Sequence, residues 1–219
     1  MKSIGIFDKD WKSELRNRYA INSLAMFILV AVSVILFSVG NEVLEPDIAG
    51  GLLWVVIFFS SMSGLARVFV SEEERGTVLL LQLNAKPSTV FSGKLLFNLL
   101  LVFLINTTVL ILFLLLFENF TFRNPALFIT AFILGNFGIA ISSTIIAAII
   151  SKANTKGTLY PVLAFPILLP LILTLIELTK YSIDGLSLLE AYAELSILVI
   201  YTGIMLTASY LLFDFIWKE

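Results

Sequence analysis

The polar chemistry of this 219-residue chain comes in bursts between long apolar runs, and the densest burst is Ser71-Glu72-Glu73-Glu74-Arg75-Gly76-Thr77. It leads into Val78-Leu79-Leu80-Leu81-Gln82-Leu83-Asn84 and then Ala85-Lys86-Pro87-Ser88. An acidic burst, a glycine, a short apolar helix of about two turns and a Pro turn with Ser88 as a candidate cap describe more than a simple connection. Two readings stand. The segment is an amphipathic helix resting on a bilayer surface, or it is a coupling helix that docks in a groove of a cytoplasmic partner. On the second reading the interaction residues are Glu72, Glu73, Glu74, Arg75, Gly76, Thr77, Leu80, Leu83 and Pro87.

The rest of the chain closes several classes of chemistry. Cysteine is absent, which excludes disulfides, thiolate metal sites and cysteine nucleophiles. Histidine is also absent, which removes the commonest metal ligand and the commonest general base at neutral pH. A phosphate-binding loop needs Gly-x4-Gly-Lys-Ser/Thr. Gly93-Lys94 lacks the upstream glycine and the following hydroxyl, and Gly157-Thr158 is a lone turn, so any ATP is expected to be hydrolysed by another chain. The net charge of −2, without a basic stripe, argues against nucleic acid. No charge falls clearly in mid-span, which disfavours an ion or proton path. Arg67 stands near one span end. It either pairs with Glu72–Glu74, Asp214 or an acidic group on a neighbouring helix, or it snorkels to the interface.

The elements that must position these residues are membrane spans. Hydrophobic residues make up 59% of the chain, against about 45–50% in soluble domains. A span needs roughly 20 mostly apolar residues, and six windows qualify: Tyr19–Val39, Ala49–Val70, Leu95–Phe117, Pro125–Ile150, Thr158–Ile176 and Leu195–Ile216. The first apolar run is too long for a signal-peptide core and is expected to be retained as a helix. Pro125 suits a first helical turn. Pro161, Pro166 and Pro170 predict a kinked or partly unwound fifth span whose freed carbonyls find partners on neighbours. The connection after Ile176 is expected to hold a short helix around Leu188–Leu195. Polar residues within the spans, among them Ser60, Ser61, Asn98, Asn106, Asn136 and Thr144, fit helix–helix packing better than a substrate lining.

Lysine and arginine give a direction. Twelve of them fall in one set of connections and only Arg123 and Lys180 in the other. The basic side is expected to be cytoplasmic, with both termini on it. Trp11 and Trp217 fit interfacial anchors there. Phe7, Trp11, Leu15 and Tyr19 recur every four residues in an otherwise charged stretch, which predicts an amphipathic interfacial helix over residues 1–18. The expected fold class is therefore all-α: a single permease domain over 1–219, with six transmembrane helices, an N-terminal interfacial helix and a coupling segment at 71–93.

These features resemble an ABC-2-type exporter permease, of the type V exporter kind. Within that group the chain is similar to the haem exporter B family, the membrane subunit of the cytochrome c maturation ABC complex. The resemblance is carried by Gly50-Gly51-Leu52-Leu53-Trp54-Val55, Ser60-Ser61, Arg67-Val68-Phe69, Glu72 to Thr77, and Leu81 through Pro87 to Lys94. Gly135-Asn136-Phe137-Gly138 and the proline-bearing fifth helix add to it. Where the family pattern often has an acidic residue after a Gly-Ser/Thr-Leu step, Val78-Leu79 stand here, so detailed coupling contacts are expected to differ. The resemblance implies a homodimer in the bacterial inner membrane with a separate ATP-binding subunit. It further implies association with haem-handling C and D subunits, and ATP-driven haem export or release of a haem-loaded periplasmic chaperone.

A dedicated haem site usually offers an axial His, Cys, Met or Tyr. With no His or Cys, and with Met26, Met62 and Met205 reading as packing residues, haem is expected to be handled by partner subunits and no cofactor to be bound directly. The remaining alternatives are a permease for another substrate, such as a lipid, polysaccharide or drug, and an intramembrane enzyme or passive scaffold.

Overall fold

The structure, a computed structural model, describes residues 3–16, 18–40, 45–65, 69, 72, 76–117, 120–152 and 156–218. Among the described residues there are eight helices and no strand. They are α1 (Ser3–Arg16), α2 (Arg18–Val39), α3 (Pro46–Leu65), α4 (Val78–Asn84), α5 (Pro87–Leu116), α6 (Pro125–Ser151), α7 (Lys156–Asp184) and α8 (Tyr192–Lys218). Six of them, α2, α3 and α5 to α8, are long and apolar enough to cross a membrane.

Helix α6 is the axis of the bundle. It packs against α7, α8, α5 and α3, and most of its side chains are buried. Helices α2 and α8 keep most of their surface outward, as lipid contact requires. The most extensive helix–helix contact is between α6 and α7. A Cβ placed on Gly135 would lie 2.8 Å from Leu175, and one on Gly138 2.8 Å from Leu171. Ala164, Leu168, Leu171 and Leu175 form the inward stripe of α7, at the spacing of one helical face. Small residues let the backbones approach where apolar transfer gives no driving force between helices.

Several polar side chains inside the spans make helix–helix hydrogen bonds. Ser61 on α3 donates to the Asn106 carbonyl oxygen on α5 at 3.0 Å. The Asn106 amide donates to Asn136 on α6 at 2.8 Å, and Asn136 donates to the Phe132 carbonyl at 2.6 Å. Asn98 donates to Thr144 at 2.8 Å, and the buried Trp54 indole donates to Thr179 at 2.8 Å. Asn124 caps α6 by accepting from Leu127, and its amide reaches the Leu186 carbonyl at 2.6 Å, which ties the start of α6 to the end of α7.

Three expectations change. The proline-bearing span is not unwound: α7 runs unbroken from Lys156 to Asp184. Pro166 and Pro170 lie on its outward face, and the Tyr201 hydroxyl donates to the Ile167 carbonyl at 2.9 Å, beside the backbone that Pro170 disturbs. The short helix expected at Leu188–Leu195 is instead a first turn leading into α8. Ser187 and Glu190 form a reciprocal capping pair, with the Glu190 carboxylate accepting from the Ser187 N–H at 2.7 Å. Finally, the third span begins at Pro87 rather than Leu95. Its 30 residues extend about 45 Å, beyond a hydrocarbon core of about 30 Å. The excess carries Ser88 to Lys94 out at the basic end of the bundle as ordinary helix.

Replacing Asn106 with Leu leaves Ser61 and Asn136 without their buried partner. It should destabilise the bundle by about 1–2 kcal/mol, read by denaturant titration in mixed micelles.

Candidate functional site

The projecting start of α5 is where the basic end is assembled. Gly93 faces α1 so closely that an added Cβ would lie 2.7 Å from the Ile6 Cβ and 2.8 Å from the Ser3 carbonyl oxygen. Backbone cannot yield as a side-chain tip can, so glycine at 93 is what lets α1 dock. The face of α1 that docks carries Ile6 and Asp10, one turn apart and both buried. The expected stripe is only partly that face. Phe7 and Trp11 stack on each other at 6.5 Å and pack partly against the core, while Leu15 is exposed. The side chain of Tyr19 lies outside the described residues.

Lys94, the residue after that glycine, is 1% exposed. Its ammonium lies 3.1 Å from Asp10 Oδ2 and 3.0 Å from Glu72 Oε1, and it sits over the Phe69 ring at 5.4 Å. Lys9 completes the cluster: it pairs with Glu72 and lies 3.2 Å from Asp10 Oδ1. Two carboxylates and two ammonium groups from α1, α5 and the stretch before α4 thus neutralise one another. Burial raises the pKa of Glu72, but Lys94, hydrogen bonds from Lys9 and Thr77, and the Lys9 charge outweigh it and hold the carboxyl at about 2 instead of 4.5.

Glu72 is also tied to α4. The Thr77 N–H donates to the Glu72 carbonyl at 3.0 Å, and the Thr77 hydroxyl donates to the Glu72 carboxylate. Gly76 between them has φ +65°, a left-handed conformation that favours glycine. Helix α4 then rests on the C-terminal end of α8. Leu81 is buried, and the Gln82 amide donates to the Trp217 carbonyl at 2.8 Å. The other face is open: Leu79, Leu80 and Leu83 are 70%, 61% and 84% exposed. Pro87 occupies the first turn of α5.

The candidate residues therefore fall into distinct places. Glu72 points into the cluster and Thr77 holds it there, while Leu80 and Leu83 face outward. Gly76 makes the turn and Pro87 starts the next helix. Arg67, Glu73, Glu74 and Arg75 lie outside the described residues. Lys9, Asp10, Phe69, Gly93 and Lys94 were not among the candidates. The signal that could have found them was a glycine and a lysine inside one helix, opposite an acidic residue set one turn from an isoleucine. Trp217, expected as an interfacial anchor, is buried and stacks on Phe213 at 5.3 Å.

A six-span bundle, helical throughout its described residues, with a docked N-terminal helix and a short helix beneath its basic end, defines a polytopic membrane protein. The chain belongs to the CcmB family, whose model matches residues 1–215. It is thereby the membrane subunit of a haem-export ABC transporter, an assembly that includes an ATP-binding subunit, and is not itself catalytic. No curated protein matches the chain.

Lys94→Met leaves two buried carboxylates with Lys9 as their remaining counter-ion among the described residues. It should lower stability by about 3 kcal/mol or more, measured by thermal unfolding in lipid nanodiscs. Glu72 has a lower pKa folded than unfolded, so its stabilising contribution is complete above about pH 4.5 and is lost as pH falls toward about 2. Between those values the wild-type chain should lose stability more steeply than Glu72→Gln.

Proposed function

We propose that this chain is the coupling permease of a cytochrome c maturation complex. A separate ATP-binding subunit docks on α4, and its hydrolysis cycle drives haem export or release of a haem-loaded periplasmic chaperone. The observation that carries this reading is the outward face of α4. Three leucines are presented at the basic end of the bundle, on a helix fixed to α8 by Leu81 and the Gln82–Trp217 hydrogen bond. A short apolar face held on a rigid support is what a groove-binding partner grips.

The residues assigned to that contact are Leu80 and Leu83, together with Glu73, Glu74 and Arg75. Glu72, Gly76, Thr77 and Pro87 set the position of α4. Haem is cargo handled with the C and D subunits and the chaperone, since a chain without His or Cys lacks the usual strong axial ligands. The working assembly contains a second copy of the chain in the bacterial inner membrane. Its basic end and both termini are cytoplasmic, in line with the excess of lysine and arginine there.

The test is co-purification in detergent, where no bilayer competes for α4. Leu83→Asp should abolish recovery of the co-expressed ATP-binding subunit while the chain still inserts in the membrane. Gly76→Ala places a Cβ in the left-handed region at about 1–2 kcal/mol and should lower stimulated ATP hydrolysis several-fold. Unchanged recovery with Leu83→Asp would show that the leucines face lipid, and would overturn the reading.

A further inference from the structure

Glu72 has neighbours on two sides. Toward α1 and α5 it meets Lys94 and Lys9. It also borders a cavity of about 10 Å³ that Phe69, Val78, Ser151, Lys152 and Trp217 help to line, room for about one water. Trp217 lines the same cavity, and its indole N–H is buried with no hydrogen-bond acceptor among the described residues. A buried orphan donor is unfavourable, and it is relieved when an acceptor arrives.

The ion cluster is wired so that Glu72 can leave it. A buried lysine that loses its only counter-ion is strongly destabilised. Lys94, however, lies 3.1 Å from Asp10 as well as 3.0 Å from Glu72. Asp10 is fixed on α1, and α1 is fixed by the Gly93 contact. If Glu72 withdraws, Lys94 keeps one carboxylate. The Glu72 carbonyl is bonded to the Thr77 N–H, the residue that precedes α4, so a displacement of α4 pulls on Glu72.

We infer that Glu72 is a two-position switch. In one position it pairs with Lys94 and Lys9; in the other its carboxylate enters the adjoining cavity, accepts from the Trp217 indole N–H and faces the Lys152 ammonium. Asp10 is the positioning residue that keeps Lys94 neutralised in the second state. No bond is made or broken and no proton is transferred; one charge exchanges one set of partners for another. The inference deepens the coupling reading, because the ATP-binding subunit on α4 would supply the push. It is nevertheless a property of this chain and is tested without that subunit. Its failure leaves the docking of α4 standing, and a failed co-purification leaves the switch standing.

The full-length chain is studied in lipid nanodiscs with ¹⁵N-labelled tryptophan. Three tryptophans give three indole N–H signals, and Trp217→Phe assigns one of them. Thr77→Val removes the hydroxyl that holds the Glu72 carboxylate in its first position, and Lys94→Met removes the main attraction there. Each should move the Trp217 indole signal downfield, as expected for a new charge-assisted hydrogen bond, and adding Glu72→Gln should abolish the shift. A second measurement covers the case in which Lys94→Met does not fold. In thermal unfolding, Asp10→Asn and Glu72→Gln each leave Lys94 the other of these two carboxylates, so their double variant should lower the folding equilibrium constant at least ten-fold beyond the product of the single effects. A Trp217 signal unmoved in Thr77→Val, or one already downfield through a bound water and indifferent to Glu72, overturns the switch. Multiplicative single effects overturn the role given to Asp10.

Discussion

A lysine removed from water requires counter-charges, and Lys94 obtains them from two other parts of the chain. Much of the basic end follows from this requirement. Asp10 reaches the ammonium because α1 lies flat against α5, and α1 lies there because position 93 has no side chain. Glu72 reaches it from between α3 and α4, and the turn at Gly76 then sets where α4 begins. An interaction of this kind contributes modest net stability, since desolvation offsets much of the attraction. Its larger effect is on placement: it draws three segments far apart in sequence to one place.

The spans solve a different problem. Within lipid there is no water to satisfy polar side chains, and they have been placed where two helices can satisfy each other. Ser61, Asn106 and Asn136 make a ladder across α3, α5 and α6, and Asn98–Thr144 adds another bond between α5 and α6. Glycines at 135 and 138 let α7 settle on α6. These contacts bind the four central helices into one body. Glu72 and α4 are joined to that body by the buried side chains of Phe69 and Leu81, by the Glu72 ion pairs and by the Gln82–Trp217 hydrogen bond.

That arrangement suits a permease whose energy comes from another subunit. The chain has neither His nor Cys, and the charge cluster of Lys9, Asp10, Glu72 and Lys94 is an internal brace. The contacts run from α4 through Glu72 to α1 and α5, and through Gln82 to the end of α8. On the proposed docking of an ATP-binding subunit, these contacts are the route by which a push on α4 would reach α1, α5 and α8.

The six spans were legible in the amino-acid sequence because compatibility with a bilayer is a local property: about twenty apolar residues suffice wherever they occur. The basic and acidic ends, the amphipathic first helix and the short helix after Gly76 were legible for the same reason. What local pattern misjudged was the behaviour of polar residues next to a span. Ser88, Thr89, Ser92 and Lys94 fell outside the expected span, yet they continue α5, because a helix leaving the bilayer still satisfies its own backbone. Prolines at 161, 166 and 170 suggested unwinding, yet they sit in an unbroken helix, with the two whose side chains are described facing outward. The partnership of residues 10, 72 and 94 belongs to the tertiary structure alone. Those residues are joined by no periodicity, and only when α5 projects beyond the bilayer and α1 docks at Gly93 do their charges come within reach of one another.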